Sequence, residues 1–120
     1  MTSEIRRTFY PMINCADPGA AMEWLQKAFG FEPVGVYRDD EGRIVHAEMR
    51  YDTGLFMFGK GEPGTSAVYV AVDDLDAHHD RARAAGAEIV SGPADQDYGS
   101  RDYAARDPDG NAWYFGTYRP

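Results

Sequence analysis

The sequence of 120 residues has few of the features that mark secreted, membrane or nucleic-acid-binding proteins. Its one cysteine, Cys15, cannot form an internal disulfide, which excludes a small fold held together by disulfides. No apolar run approaches membrane-spanning length, and residues 1–7 are polar and lack the apolar core of a signal peptide. The formal net charge of −8 argues against a nucleic-acid partner. We therefore expect a cytoplasmic domain without a membrane or nucleic-acid partner, compatible with a neutral or cationic ligand.

Catalytic motifs are also scarce. The stretch GKG at residues 59–61 is too short for a phosphate-binding loop and is followed by Pro63, so we interpret it as a linker. Cys15 lies between a predicted strand and a predicted helix with no base beside it, which favours a small buried residue over a nucleophile. His78 and His79 are neighbours in a predicted helix and point about 100° apart, so we expect them to face solvent rather than coordinate one metal ion together.

The chain contains enough apolar residues for a core. Apolar residues make up 43% and charged residues 27%, which is ordinary for one globular domain over residues 1–120. A strand is predicted over 8–14, followed by a helix over 18–29 that Asp17 caps and Gly30 ends. Strands predicted over 34–38, 43–51 and 55–58 complete a β-α-β-β-β order.

The same order repeats after a connector over residues 59–66. It comprises a strand at 67–72, a helix over 74–85 and strands at 88–90, 103–106 and 112–117. The two halves align at a spacing of 56 residues, pairing Asp17 with Asp73, Ala28 with Ala84, Gly30 with Gly86 and Val34 with Val90. This duplication predicts an α+β fold of two tandem β-α-β-β-β units, about 8–59 and 66–118, whose curled antiparallel sheets enclose a cleft. The helices are expected on the convex side.

Alternation along the strands separates core residues from cleft residues. In the strand at 43–51, Ala47 and Met49 share one face, and His46 and Glu48 share the other. Trp113 is expected to pack under the second helix, since it alternates with cleft-facing Tyr114. The aromatic residues of the helix-under-sheet core are expected to be Trp24, Phe29 and Phe31.

Five short segments in this order carry a resemblance to a known family. They are NCADP at 14–18, AFGF at 28–31, VDDLD at 72–76, AAGA at 84–87 and DPDGN at 107–111. With them the chain resembles the vicinal-oxygen-chelate superfamily of glyoxalase, bleomycin-resistance and extradiol-dioxygenase proteins, from about residue 10 to residue 118. The resemblance implies the duplicated fold described above.

The metal enzymes of that superfamily place four ligands in the cleft, a set of His, Gln and Glu side chains. Alignment on the helix caps and on residues 107–110 puts Tyr10, about Met57, Ala67 and Tyr114 at those positions. None of the four is a usual ligand of a divalent metal, so no metal and no cofactor are expected. His46 and Glu48 offer two donors on one strand face, without a third partner in sequence.

The predicted cleft is rich in tyrosine, which combines a flat apolar face with a polar tip and suits planar ligands. The expected ligand-binding residues are Tyr10, His46, Glu48, Met57, Tyr69, Tyr98, Arg101, Tyr103 and Tyr114.

Three functions remain open from the sequence. The resemblance to metal-free bleomycin-resistance proteins, which are homodimers, favours a non-catalytic protein that sequesters a bulky aromatic molecule such as an antibiotic. The alternative is a glyoxalase-like lyase or isomerase that uses a divalent metal or a His46/Glu48 acid–base pair. The third is an interaction module without a small ligand. Whether the units pair within one chain or between chains is also open.

Overall fold

Each half of the chain forms one helix and one sheet of four strands in the computed structural model, which describes residues 7–120. The first unit contains β1 (Met12–Cys15), α1 (Pro18–Phe29), β2 (Glu32–Arg38), β3 (Ile44–Tyr51) and β4 (Gly54–Lys60). The second contains β5 (Ala67–Ala71), α2 (Leu75–Ala84), β6 (Glu88–Asp95), β7 (Arg101–Arg106) and β8 (Ala112–Gly116). Residues 1–6 of the polar N-terminal stretch lie outside the described residues.

The two sheets have the same topology. Their strand orders are β1-β4-β3-β2 and β5-β8-β7-β6, which confirms the predicted tandem β-α-β-β-β fold. Both sheets are mixed rather than wholly antiparallel, because β1 pairs with β4, and β5 with β8, in parallel. The cause is the helix in each unit, which crosses over the sheet and so connects strands that run in one direction.

The two helices begin at equivalent aspartates. The Oδ1 atoms of Asp17 and Asp74 each accept a hydrogen bond from the backbone N–H three residues on, at 3.2 and 3.1 Å. The predicted counterpart of Asp17, Asp73, is therefore wrong by one residue. Gly30, which ends α1, has φ of 77°, a conformation that costs glycine no steric strain. Within residues 7–120, neither helix is long and apolar enough to cross a membrane.

One core joins the two units. Rings of the first unit pack directly on rings of the second, with centroids 4.8 Å apart for Phe29 and Phe115 and 5.3 Å apart for Phe31 and Trp113. Trp113, expected to pack under the second helix, is buried and packs on the first unit as well, with its indole 5.4 Å from the ring of Phe56 in β4. The assignment of Phe29 and Phe31 to the core is confirmed, since both are fully buried.

The turn at residues 107–111 fastens the second unit to the first. The carboxylate of Asp107 accepts hydrogen bonds from the indole N–H of Trp113 at 2.9 Å and from the backbone N–H of Asn111 at 3.0 Å. The buried Asn111 side chain donates to the carbonyl of Asn14 at 2.8 Å and accepts from the backbone N–H of Ser66 at 3.1 Å. The DPDGN segment therefore has a structural role, because it satisfies polar groups where the two units meet.

Candidate functional site

The second sheet has one face on the helices and a free face, which we call open face B. Tyr69 of β5 and Tyr114 of β8 are direct neighbours there, and 40% and 49% of their surfaces are exposed. The residues around them are small: Ala67, Ala71, Ala104, Ala112 and Gly116. Because only small side chains surround the two phenol rings on this face of the sheet, a flat molecule has room to pack against the rings.

The free face of the first sheet, open face A, has different chemistry. Glu48 of β3 pairs in register with Met57 of β4, and Met57 pairs with Met12 of β1. His46 lies two residues from Glu48 on this face, with its ring 5.4 Å from the ring of Tyr37. Open face A thus brings thioethers, an imidazole and a carboxylate together, and its β1–β4 strand pair carries Met12 and Met57 where open face B carries two tyrosines.

Two residues expected in the cleft lie on the other side of the second sheet. Tyr103 is only 1% exposed, and its hydroxyl donates to Nδ1 of His78 in α2 at 2.6 Å. Arg101 forms an ion pair with Asp76 of α2 at 3.1 Å. The structure therefore does not bring these two predicted ligand-binding residues to open face B. Asp102 is the residue of this strand end that faces open face B.

Asp102 and Tyr98 form a polar end to open face B. The hydroxyl of Tyr98 donates to Oδ2 of Asp102 at 2.6 Å, and the hydroxyl of Ser100 donates to Oδ1 at 2.5 Å. The hydrogen bond to Asp102 raises the pKa of Tyr98. Sequence reasoning included Tyr98 and missed Asp102. The charged residues Asp102 and Arg106 alternate with buried Tyr103 and Ala105, and this was the available signal.

His78 is buried rather than solvent-facing, which corrects the prediction for that residue. Its Nε2–H donates to the carbonyl of Phe29 at 3.0 Å, since a carbonyl can only accept, and its Nδ1 accepts from Tyr103. Burial lowers the pKa of His78, with the charge of Arg81 acting in the same direction. The spacing of Leu75, His78 and Ala82, all buried on one helix stripe, was the sequence signal for its position.

The comparison with known families decides the family of this chain. Residues 7–115 match the profile of the Glyoxalase/Bleomycin resistance protein/Dioxygenase superfamily. The chain belongs to this superfamily. The match spans both sheets and both helices, so it covers the duplicated fold and not one unit alone.

Several solved structures share this superfamily fold. The structure of TioX from Micromonospora sp. ML1 is 33% identical, has a TM-score of 0.80, and covers 92% of this chain and 94% of its own. A glyoxalase-related enzyme from Clostridium phytofermentans has a TM-score of 0.78 at 23% identity, covering 97% and 98%. Among curated sequences, an uncharacterized protein of Mycobacterium bovis is 28% identical over 97% of this chain and 86% of its own length.

Four positions hold the metal ligands in the superfamily's enzymes, two in each unit, and the duplication makes each position in the first unit equivalent to one in the second. Met12 lies beside Met57 as Tyr69 lies beside Tyr114, so Met57 and Tyr114 are counterparts. Tyr10, just before β1, donates from its hydroxyl to a nearby backbone carbonyl at 3.1 Å, and Ala67 offers no donor. Residues 7–120 contain no group of three or more His, Cys, Asp or Glu side chains able to hold a metal. The donor set at these positions does not fit a divalent metal.

Cys15 is unsuited to nucleophilic catalysis in this superfamily member. It is 1% exposed, and its thiol contacts the carbonyl of Gly59 at 3.4 Å. Burial, reinforced by the charges of Asp109, Asp107 and Asp17, raises the pKa of Cys15 to about 12. Because the thiolate is the reactive form, the thiol stays inert at neutral pH.

A groove of about 320 Å³ separates the edge of β5 from the first unit. Its walls include the apolar side chains of Phe31, Phe56 and Val68, and Tyr69 is the one predicted ligand-binding residue that reaches it. His46, Glu48 and Tyr114 lie elsewhere. The groove therefore adjoins open face B and does not bring the predicted site residues together.

Proposed function

We propose that this protein binds and sequesters a bulky aromatic small molecule, such as an antibiotic, without a metal and without changing it chemically. The observation that carries the proposal is the pair Tyr69 and Tyr114, side by side among small residues, with Tyr114 at one of the four positions that hold metal ligands in the superfamily's enzymes. Sequestration requires affinity alone, so it needs none of the catalytic donors that these positions lack.

The energetics of stacking are sufficient for such a role. A planar ring packed on a tyrosine gains on the order of 1 kcal/mol beyond the burial of its area. Two such rings, together with the burial of apolar surface at roughly 25 cal/mol per Å², support micromolar binding. Both rings are about half exposed in the single chain and so are available to a ligand.

A homodimer is part of the proposal. Large apolar side chains on both open faces are exposed, with Met12 and Tyr37 each at 53% on open face A and Tyr114 at 49% on open face B. Exposed apolar patches of this kind mark interaction surfaces. A second copy would cover them and enclose the ligand. Sedimentation equilibrium tests the dimer, and a chain that stays monomeric at high concentration contradicts it.

The competing function is a glyoxalase-like lyase or isomerase. It is favoured by one observation, the presence of His46 and Glu48 on the same open face, where an imidazole and a carboxylate could act as an acid–base pair. Turnover would require this pair to act on a bound substrate, with or without an added divalent metal.

Calorimetric titration with planar aromatic antibiotics, followed by mass analysis of the recovered ligand, tests the proposal. Binding near equimolar stoichiometry with the ligand recovered unchanged is expected. Tyr114→Ala should weaken binding, whereas the control Val34→Ala, which truncates a 49% exposed side chain in β2 of the first unit, should not. Recovery of an altered product in excess over protein, abolished by His46→Ala, would show the enzymatic function instead.

A further inference from the structure

Among residues 7–120, Asp102 is a carboxylate without a positive partner at the end of open face B. Its two oxygens accept hydrogen bonds from the neutral hydroxyls of Tyr98 and Ser100. None of the ion pairs formed among residues 7–120 includes it. The nearby guanidinium of Arg101 lies on the helix side of the sheet, engaged with Asp76 and Asp95. The negative charge at this end of the face is therefore uncompensated.

Aromatic rings surround this carboxylate. The rings of Tyr98 and Tyr118 meet edge to face, with centroids 6.2 Å apart at 88°. The hydroxyl of Tyr69 donates to the carbonyl of Tyr118 at 2.6 Å, which fixes the third ring beside them. Electron-rich ring faces next to a carboxylate attract an organic cation, because the ring quadrupole and the charge act in the same direction.

A glycine makes this arrangement possible. Gly116 pairs in register with Asp102, and a methyl group on it would stand less than 3.0 Å from both Oδ1 of Asp102 and the hydroxyl of Tyr69. The missing side chain thus lets Asp102 and Tyr69 converge over the strand. Any larger residue would push the two groups apart.

We propose that the ligand of open face B carries a protonated amine about 7 Å from the centre of its aromatic ring system. The separation follows from the register, because Asp102 lies two residues along β7 from Ala104, the partner of Tyr114, and a strand rises about 3.4 Å per residue. The ring system stacks on Tyr69 and Tyr114, and the amine contacts Asp102 between the tyrosine rings. This inference rests on the proposed function and specifies its ligand class.

A matched pair of ligands tests the inference. Daunomycin has a planar ring system and a protonated amine, and N-acetyldaunomycin keeps the rings but loses the charge. We expect daunomycin to bind about tenfold more tightly, in the range of a partly desolvated cation–π and carboxylate contact. The preference should shrink as ionic strength rises, since exposed charges are screened.

Variants locate the preference on the protein. Asp102→Asn should reduce the preference for daunomycin to about twofold. Gly116→Ala should weaken the binding of both ligands, because the added methyl group displaces Tyr69 as well as Asp102. Asp97→Asn removes the same charge from an exposed position nearby and should keep the full preference. Thermal melts verify that each variant is folded, and the comparison of the two ligands on the unchanged protein does not depend on any variant.

The outcomes separate this inference from the proposed function. Equal affinity for the two ligands would contradict the inference that the ligand carries a protonated amine, and it would leave the proposed sequestration of an aromatic molecule unaffected. A preference that survives Asp102→Asn but is lost in Asp97→Asn would also overturn it. Failure of both ligands to bind would count against the proposed function and, with it, against the ligand class inferred here.

Discussion

The two units share a scaffold and differ on their open faces. Both begin their helices at an aspartate cap, both order their strands alike, and both bury one face in a common core. Where the first unit has Met57, the second has Tyr114, and where the first has Met12, the second has Tyr69. The duplicated fold is held by buried groups that packing constrains, whereas the free faces are available for different binding chemistry.

The largest expected effect tests how strongly the two units depend on each other. Trp113→Ala should destabilise the protein by about 3–5 kcal/mol, because it opens a cavity among rings of the first unit and leaves Asp107 without its indole donor. Denaturant unfolding measures the loss. Phe56→Ala, which removes its counterpart in the first unit, should cost less, since Phe56 is 7% exposed and makes no hydrogen bond. The reverse order would contradict this view.

A second test concerns a polar group that only the second unit has. His78→Ala should lower the free energy of unfolding by about 1–3 kcal/mol, because the hydroxyl of Tyr103 and the carbonyl of Phe29 each lose a buried hydrogen-bond partner. Its counterpart in α1 is Ala21, which has no polar side chain.

The same histidine predicts a pH dependence. The folded pKa of His78 lies below its ordinary value of 6.5, so the unfolded chain binds the proton more readily. The stability contributed by neutral His78 is present above that ordinary value and is lost as pH falls through the lowered folded pKa. Thermal melts from pH 8 to pH 5 should show a decline that His78→Gln reduces. An identical decline in that variant would exclude His78 as its source.

The open faces themselves are compared by two substitutions at counterpart positions. Tyr114→Ala should weaken aromatic-ligand binding about tenfold through the loss of a stacked ring, and Met57→Ala should weaken it by less. Both should change the free energy of unfolding by about 1 kcal/mol or less, because these side chains lie outside the buried core. Equal losses of affinity in the two variants would place the ligand between the faces rather than on open face B.

The smallest expected difference is between the helix caps. Asp17→Ala and Asp74→Ala should each cost about 1 kcal/mol, since each removes one side-chain hydrogen bond to the first turn of a helix. We expect the two losses to agree within about 0.5 kcal/mol, measured by urea unfolding. A large difference would mean that the two scaffolds are less alike in energy than in geometry.

Much of the fold was predictable because its signals are local. A cap, an apolar stripe and a glycine stop define α1 within residues 17–30, and the same signals recur in the second unit. The strand at residues 44–51 was likewise predictable from alternation, with Ala47 and Met49 both buried as expected. The boundaries of shorter strands were less accurate, as in β6, which runs to Asp95 instead of ending at residue 90.

The site was harder to predict because its geometry depends on contacts between distant residues. Alternation along β7 indicates which side of the sheet Tyr103 takes, but its buried partner, His78, lies 25 residues away in another element. Arg101 similarly pairs with Asp76 across the sheet–helix interface, which a strand pattern alone does not reveal. Tyr69 and Tyr114 could be placed on one free face, because parity within well-bounded strands fixes the face without knowledge of long-range contacts.

The burial of Cys15 gives the protein a practical property. With its only thiol shielded in the core and raised in pKa to about 12, the folded chain presents no reactive sulfur to labelling reagents. A cysteine introduced on either open face would therefore be the single site of modification. A fluorophore attached there would report the approach of a ligand, or of a second subunit, from one known position on the surface.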